Sequence, residues 1–467
     1  MRLLIISHAI NMDGRAASQT VTDKIPYFQA AGLDLVVVSA ITGERDTRFT
    51  HHQVLPLSPV ALRFDLRHYF RKRFPAGTIA YRLVSLLSTL VLGIPLVIER
   101  LLNRVESQTS WAIPAYVVAW RSHRQTPFDL VLSSGGAMAA HVAGYWMKSR
   151  LGLPWVAEIH DPLVYAGWDK SSAQLHFSEW LEEKICSHAD AAVWFTQKAM
   201  ERARRRYPTL GDRGHVIYAG VDQPQTQSDS KGPRTLHTQT AHPHAPQIVE
   251  PAGLDERSLA CSAAKCFVFA HFGSLSRSRS LKTFIQGLHQ HLKKHPAHQS
   301  LVRVEVYGTS LDADAQAFAQ SHGLQDVVRS IGRLERDEAS GLSGRDQVLR
   351  RMSEVDCLIL LHGSQPVCEE YIPSKLYEYL WMGPVILAGV WKNPELEGIL
   401  SSQGHIAVAS DDVNAYAHSI EAILEKWQAN PLVQELRPSP YTAKRSAQQL
   451  IALLNQTVAK AAISEAG

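Results

Sequence analysis

Three glutamates, a lysine and a serine crowd the segment Glu369–Gly389, EEYIPSKLYEYLWMGPVILAG. The pattern predicts a loop, a helix, a glycine stop and a strand. Pro373 suits a first helical turn, because its missing N–H costs nothing there. Ser374 and Lys375 fall in that same turn, and Gly383-Pro384 ends the helix before the apolar run Val385–Ala388. A helix start exposes free N–H groups and the positive end of a dipole, which together hold phosphate. Glu378 falls two turns in, and Glu370 just before the helix. A cation, an anion-holding helix end and two carboxylates suit a sugar joined to a pyrophosphate.

A second set of candidates follows predicted strands. His160 and Asp161 come directly after the apolar run Trp155–Ile159, so both are expected over a sheet edge. Gly14, Arg15, Gly135 and Gly136 occupy strand-to-helix loops at the same edge. Glycine there lets backbone approach a ligand, and a plain tight turn explains it too. No GxGxxG occurs, so a nicotinamide dinucleotide lacks its fingerprint. Five cysteines, without CxxC pairing and without a His/Cys cluster at zinc spacing, suit free thiols in a reducing cytosol. His237, His242 and His244, with His215 on the flank, are spaced irregularly in a polar stretch and argue for no metal.

These residues need a scaffold. The 467 residues allow two or three domains, each with its own core. Hydrophobic residues at 45%, charged residues at 20% and a net charge of +4 describe a soluble globular chain with too little basicity to argue for nucleic acid. Strand patterns at Leu3–Ser7, Leu35–Ser39, Asp129–Ser133, Trp155–Ile159, Ala191–Phe195 and His215–Tyr218 alternate with helical ones. The alternation stops in the polar segment 223–264, read as a linker or disordered insertion. It resumes with strands Cys266–His271, Val302–Tyr307, Val327–Ser330, Cys357–Leu361 and Val385–Ala388, and closes on a helix over Ala443–Ala461. The expected division is a first domain over 1–222, a second over 265–437, and a last helix over 438–467 returning towards the first. Both domains read as doubly wound α/β units, with ligands beyond the C-terminal strand ends.

Residues 63–125 read as largely helical. Within them Leu83–Ile98 is an apolar run of 16 residues, holding Gly93 and Pro95. A membrane span needs about 20. Arg63, Arg67, Arg71, Lys72, Arg73 and Arg82 precede it, and Arg100 and Arg104 follow. Burial in the first domain and contact with an anionic membrane surface both fit.

Taken together these segments resemble a GT-B glycosyltransferase close to the retaining family-four group that builds bacterial surface polysaccharides. The resemblance rests on the opening strand and its Gly14 loop, on Trp155–Pro162 (WVAEIHDP), and on Ala189–Val193 (ADAAV) followed by Lys198 and Arg202. It rests further on His215–Asp222 (HVIYAGVD), on Phe269–Ser280 (FAHFGSLSRSRS), and on Glu370 and Glu378 in a Glu-x7-Glu element of PxKxxEYL form. It implies two Rossmann-like domains facing across a cleft, with a UDP- or GDP-sugar as donor substrate and no metal. Glu378 would accept from the ribose diol. Glu370 would lie by the donor sugar's hydroxyls. Amides around Ile372–Ser374, helped by Lys375, would hold the diphosphate. His160, or Asp161, would sit near the reacting carbon. The loop after Gly273 departs from the family pattern: Ser274 stands where an arginine is usual, and Arg279 best fits the second basic position, then Arg277 and Lys282. Arginine grips two phosphate oxygens at once.

The implied reaction moves a sugar from a nucleotide diphosphate to an acceptor hydroxyl with retention. The departing phosphate helps deprotonate the acceptor, so Glu370 is not read as a nucleophile. The acceptor is expected to be a glycan or lipid-linked glycan, and the location cytoplasmic, peripheral to the inner membrane face. A sugar-nucleotide 2-epimerase of the same fold and a non-catalytic scaffold are the rival readings.

Overall fold

The computed structural model describes residues 1–12, 15–74, 78–102, 105–165, 167, 172–224, 266–334, 342–429 and 438–466. Gly14 and nearly all of the expected linker lie outside them. Among the described residues, thirteen strands form two all-parallel sheets. The first contains β1 (Arg2–Ile6), β2 (Asp34–Ala40), β3 (Thr50–Val54), β4 (Leu130–Gly135), β5 (Trp155–Ile159), β6 (Ala191–Trp194) and β7 (Gly214–Val216). The second contains β8 (Phe267–Gly273), β9 (Val302–Gly308), β10 (Val328–Gly332), β11 (Cys357–Leu361), β12 (Val385–Val390) and β13 (Ile406–Ala409). Their orders, β3-β2-β1-β4-β5-β6-β7 and β10-β9-β8-β11-β12-β13, are those of doubly wound folds. The order reverses between β1 and β4 in the first sheet and between β8 and β11 in the second. Such switch points are where open α/β sheets take ligands.

The first unit comprises Met1–Asp222, Gln365–Tyr377 and Ser439–Gly467. Its central strands are apolar without alternation because both faces are covered. One face carries Trp111, Ala115, Ala143 and Met147 against Leu4, Val36 and Val131. The other carries Leu450 and Leu454 of helix Ala443–Ala466 against Leu3, Ile5 and Val37. Each fully buried leucine there contributes about 1.5–3 kcal/mol. Segment Gln365–Tyr377, expected in the second domain, groups with this unit.

The second unit comprises Gln223–Ser364 and Glu378–Pro438. Phe267, Phe269, Phe284, Tyr416 and Trp427 anchor its core. Cys186, Cys357 and Cys368 are buried and outside any disulfide, whereas Cys266 is disulfide-bonded, against the expectation of thiols kept reduced.

Two helices of the first unit, Pro59–Arg73 and Ile79–Leu102, correct the reading of 83–98. The apolar helix runs for 24 residues through Gly93 and Pro95. Burial does not account for it. Leu83, Leu86, Leu90, Ile94, Val97 and Leu101 are each more than half exposed, and among the helix residues whose burial is described only Leu96 is buried. Their spacing of three and four residues places them on one face. Stretch Ile79–Glu99 is long and apolar enough to cross a membrane, by length and composition, with 6% of its most apolar window buried. The side towards helix Pro59–Arg73 is polar. Glu99 accepts from Ser58 Oγ and from Val60 N at 2.8 Å, and Arg63 Nη2 donates to Thr89 at 3.1 Å.

Candidate functional site

In the second unit the switch point is built by the loops after β8 and β11. Gly273 ends β8 at φ +142°, a region favouring glycine. Gly308 ends β9 at φ +107°, and a Cβ there would stand 2.8 Å from the Gly273 carbonyl. Ser276 and Arg279 exchange backbone bonds of 3.1 and 2.9 Å, so the loop folds back with Arg277 and Ser278 at its turn. Ser364 N–H, from the loop after β11, donates to Ser278 O at 3.1 Å and ties the two loops together. Asp312 holds the loop's other end, accepting from Ser280 Oγ at 2.7 Å and Leu281 N at 3.0 Å. Arg277 is exposed, and Arg279 and Lys282 are half-buried. All three candidate phosphate cations thus stand in or directly after one folded loop at the switch point.

The motif helix is shorter than expected, covering only Lys375–Tyr379. Pro373 and Ser374 precede it, and Glu378 lies in its first turn rather than its second. Five residues carry little aligned dipole, so the expected anion-holding helix end is reduced to local N–H groups. Leu376 and Tyr377 spend theirs on Pro373 O at 2.9 Å and Ser374 O at 3.2 Å. Pro373 is buried, Ser374 exposed and Lys375 half-buried. Glu378 is 6% exposed and pairs with Arg345 Nη2 at 3.2 Å. Phe272 N–H donates to the buried Tyr379 hydroxyl at 3.1 Å, which pins Glu378's neighbour to the strand end beside Gly273.

Glu370 falls in the first unit. Its carboxylate is 1% exposed; Oε1 accepts from Arg202, while Oε2 is buried with no hydrogen-bond partner. Burial raises its carboxyl above the usual range, against the pull of Arg202. Glu369 accepts from Lys198 at 3.0 Å and Arg202 at 2.8 Å. Thr196 Oγ donates to the Glu370 carbonyl at 2.6 Å and caps helix Gln197–Arg206, which carries both cations. The Glu370 carboxylate is thus half-engaged within the first unit. The structure brings Glu369 and Glu370 together with Lys198 and Arg202. It assigns Glu378, Arg277, Arg279 and Lys282 to the other unit.

His160 follows β5, as expected, and is buried at 9% exposure. Its ring stacks on Phe195 at 4.6 Å. Beneath it lies a buried network absent from the sequence reading. Lys24 pairs with Glu158 Oε1, Ser134 Oγ donates to Glu158 Oε2, and Ser134 Oγ lies 3.1 Å from His160 Nε2. Burial alone would raise the Glu158 carboxyl, but Lys24 and His160 outweigh it and hold it below the usual carboxylate range. An ionised Glu158 only accepts, so the single Ser134 proton is committed to it. His160 Nε2 must then donate to Ser134, which leaves Nδ1 as the other ring nitrogen. Asp161 is exposed, and its Oδ2 would stand 3.1 Å from a Cβ at Gly136.

A second pair missed by sequence sits at the end of β1. His8 Nε2 lies 3.5 Å from Oδ1 of Asp65, a fully buried carboxyl on helix Pro59–Arg73. The signal was present: Asp65 is the one acid among RFDLRHYFRKR, and Glu158 the one charge in β5. Arg345 gave no such signal.

Residues 17–223 match the family described as Glycosyltransferase Family 4. No curated protein sequence matches the chain. In fold it is similar to an α,α-trehalose 6-phosphate synthase from Burkholderia multivorans, with a TM-score of 0.55 and 12% identity over 98% of this chain and 99% of that one. It is similar also to WaaG, a glycosyltransferase involved in lipopolysaccharide biosynthesis, with a TM-score of 0.50 and 12% identity over 96% and 94%. A UDP-N-acetylglucosamine 2-epimerase candidate from Listeria monocytogenes gives a TM-score of 0.51 at 9% identity over 98% and 97%. At these identities the likenesses establish the two-sheet GT-B architecture.

Proposed function

We propose that this chain, which has GT-B architecture and matches Glycosyltransferase Family 4 over residues 17–223, transfers a sugar from a nucleotide diphosphate donor to an acceptor hydroxyl with retention. The observation that carries this reading is Glu378: a buried carboxylate, oriented by Arg345, one residue from the tyrosine pinned beside the Gly273 loop. A carboxylate offers several acceptor sites and no donors, which suits a ribose diol. Arg279, then Arg277 and Lys282, supply charge to the diphosphate. Charge grows on the departing phosphate as the glycosidic bond loosens, and fixed cations stabilise that state more than the ground state. His160, its Nε2 committed to Ser134, offers Nδ1 near the reacting carbon, with Asp161 beside it. No step is routed through a metal.

The site of action in this reading is the cytoplasmic membrane face, with a glycan or lipid-linked glycan as acceptor in cell-surface glycan synthesis. The exposed apolar face of helix Ile79–Leu102 supports it, as do the exposed Arg67, Arg71, Lys72, Arg73 and Arg82 nearby in sequence. A thermal-shift panel of UDP-, GDP- and ADP-sugars tests the donor. One base is expected to stabilise the wild type, and Glu378→Ala to lose most of that response. An equal response in the variant would overturn the assignment of Glu378. The shared fold of an epimerase candidate makes a donor-only incubation necessary, and a donor returned as its 2-epimer would favour that rival.

A further inference from the structure

Three histidines gather at the far end of the helix that follows the Gly273 loop. His291 lies in the last turn of helix Lys282–Lys294, His295 caps it, and His298 lies in the 3-10 turn Pro296–Ser300. Glu421 reaches them from helix Val413–Ala429. His291 and His295 are four residues apart, so they share one helix face. Ligand atoms of His291, His295 and Glu421 all lie within 4.8 Å of one another. His295 Nε2 stands 3.0 Å from Glu421 Oε1, and His291 Nε2 stands 2.9 Å from His298 Nδ1. The three rings are stacked or tilted on one another with centroids 4.8 to 5.2 Å apart. His291 is 2% exposed, and its Nδ1 is buried with no hydrogen-bond partner.

We propose that His291, His295 and Glu421, with His298 as a fourth ligand, form a binding site for a divalent transition ion of the zinc class. Imidazole nitrogens and a carboxylate are the donor set such ions take, about 2.0–2.2 Å from the metal. Tetrahedral placement needs these atoms a little over 3 Å apart, so side-chain rotation alone converts two hydrogen-bonded pairs into four ligands. Spacing in sequence brings together only His291-x3-His295-x2-His298; the carboxylate Glu421 joins them from a distant helix. Thirteen helical residues put this site about 20 Å along the helix from the donor loop, so its role is structural. The ion would clasp helix Lys282–Lys294 to helix Val413–Ala429.

The test uses the full chain without a histidine tag, titrated with Co2+ and with Zn2+. Co2+ should give the visible d–d bands of a tetrahedral site, and Zn2+ should displace it and raise the melting temperature. His295→Asn and Glu421→Gln, both at partly exposed side chains, should fold normally and weaken Zn2+ at least about tenfold. A variant carrying His237→Gln, His242→Gln and His244→Gln should bind as the wild type does. Absence of the bands, binding unchanged in His295→Asn and Glu421→Gln, or binding lost only in the triple variant would each overturn the site.

Discussion

Replacing Asp65 by asparagine should raise stability relative to the wild type progressively as pH rises. Neither carboxyl oxygen of Asp65 has a hydrogen-bond partner, and the side chain is fully buried. Burial pushes it from its ordinary 3.8 up to about 7. A folded state that holds a proton more tightly than the unfolded state is favoured at low pH. That stability is fully present below pH 3.8 and is lost as pH climbs through about 7. The displacement corresponds to about 4 kcal/mol, at about 1.4 kcal/mol per pH unit within the window. His8, lowered to about 4 by burial and then by His68, has the opposite dependence, losing stability as pH falls below 6.5. It is present in both proteins, so only its coupling to Asp65 across 3.5 Å enters their difference. An unsatisfied side-chain amide at this position shifts the whole difference by about 1–3 kcal/mol but leaves its slope intact. The assay is urea unfolding of wild type and Asp65→Asn at several pH values from 4 to 8. Trp111 lies edge-on to His8 at 5.2 Å and contributes to the fluorescence signal. A difference that stays flat across that range would refute a protonated, desolvated Asp65.

Two further outcomes are expected. Gly308→Ala adds a Cβ 2.8 Å from the Gly273 carbonyl at a φ of +107°, so it should cost about 1–3 kcal/mol and blunt the nucleotide-sugar thermal shift. An unchanged melting curve and shift would count against a rigid Gly273 loop. Leu90→Glu with Ile94→Glu alters two residues 68% and 77% exposed, so melting should hardly change while flotation with anionic liposomes falls sharply. Equal flotation would exclude that helix face as the membrane contact.

The doubly wound units were legible because buried parallel strands leave continuous apolar runs, as in Leu3–Ile6 and Cys357–Leu361. Strand β3 was not, because THHQV lies at a sheet edge and keeps its polar residues. Strand β13, IAVA, was too short to stand out. The motif helix was overextended because Leu380, Trp381 and Met382 continue its apolar pattern while burial, not helix formation, holds them. Glu378 could be named from its setting. Its partner Arg345, and the engagement of Glu370 by Arg202, depend on contacts between distant segments that spacing does not encode.

The chain leaves the first unit after Asp222 and re-enters it finally at Ser439, where Val221 N–H donates to Tyr441 O at 3.2 Å and Gly220 packs against the Thr442 backbone. Seen from the ribosome, the lobe whose synthesis begins first is therefore completed last. Until Ala447, Leu450 and Leu454 emerge, Leu3, Ile5 and Val37 lack the apolar cover that those residues supply. The later lobe can finish folding while the earlier one still waits with a greasy sheet face uncovered, and a chain cut short before Ala443 would strand it there.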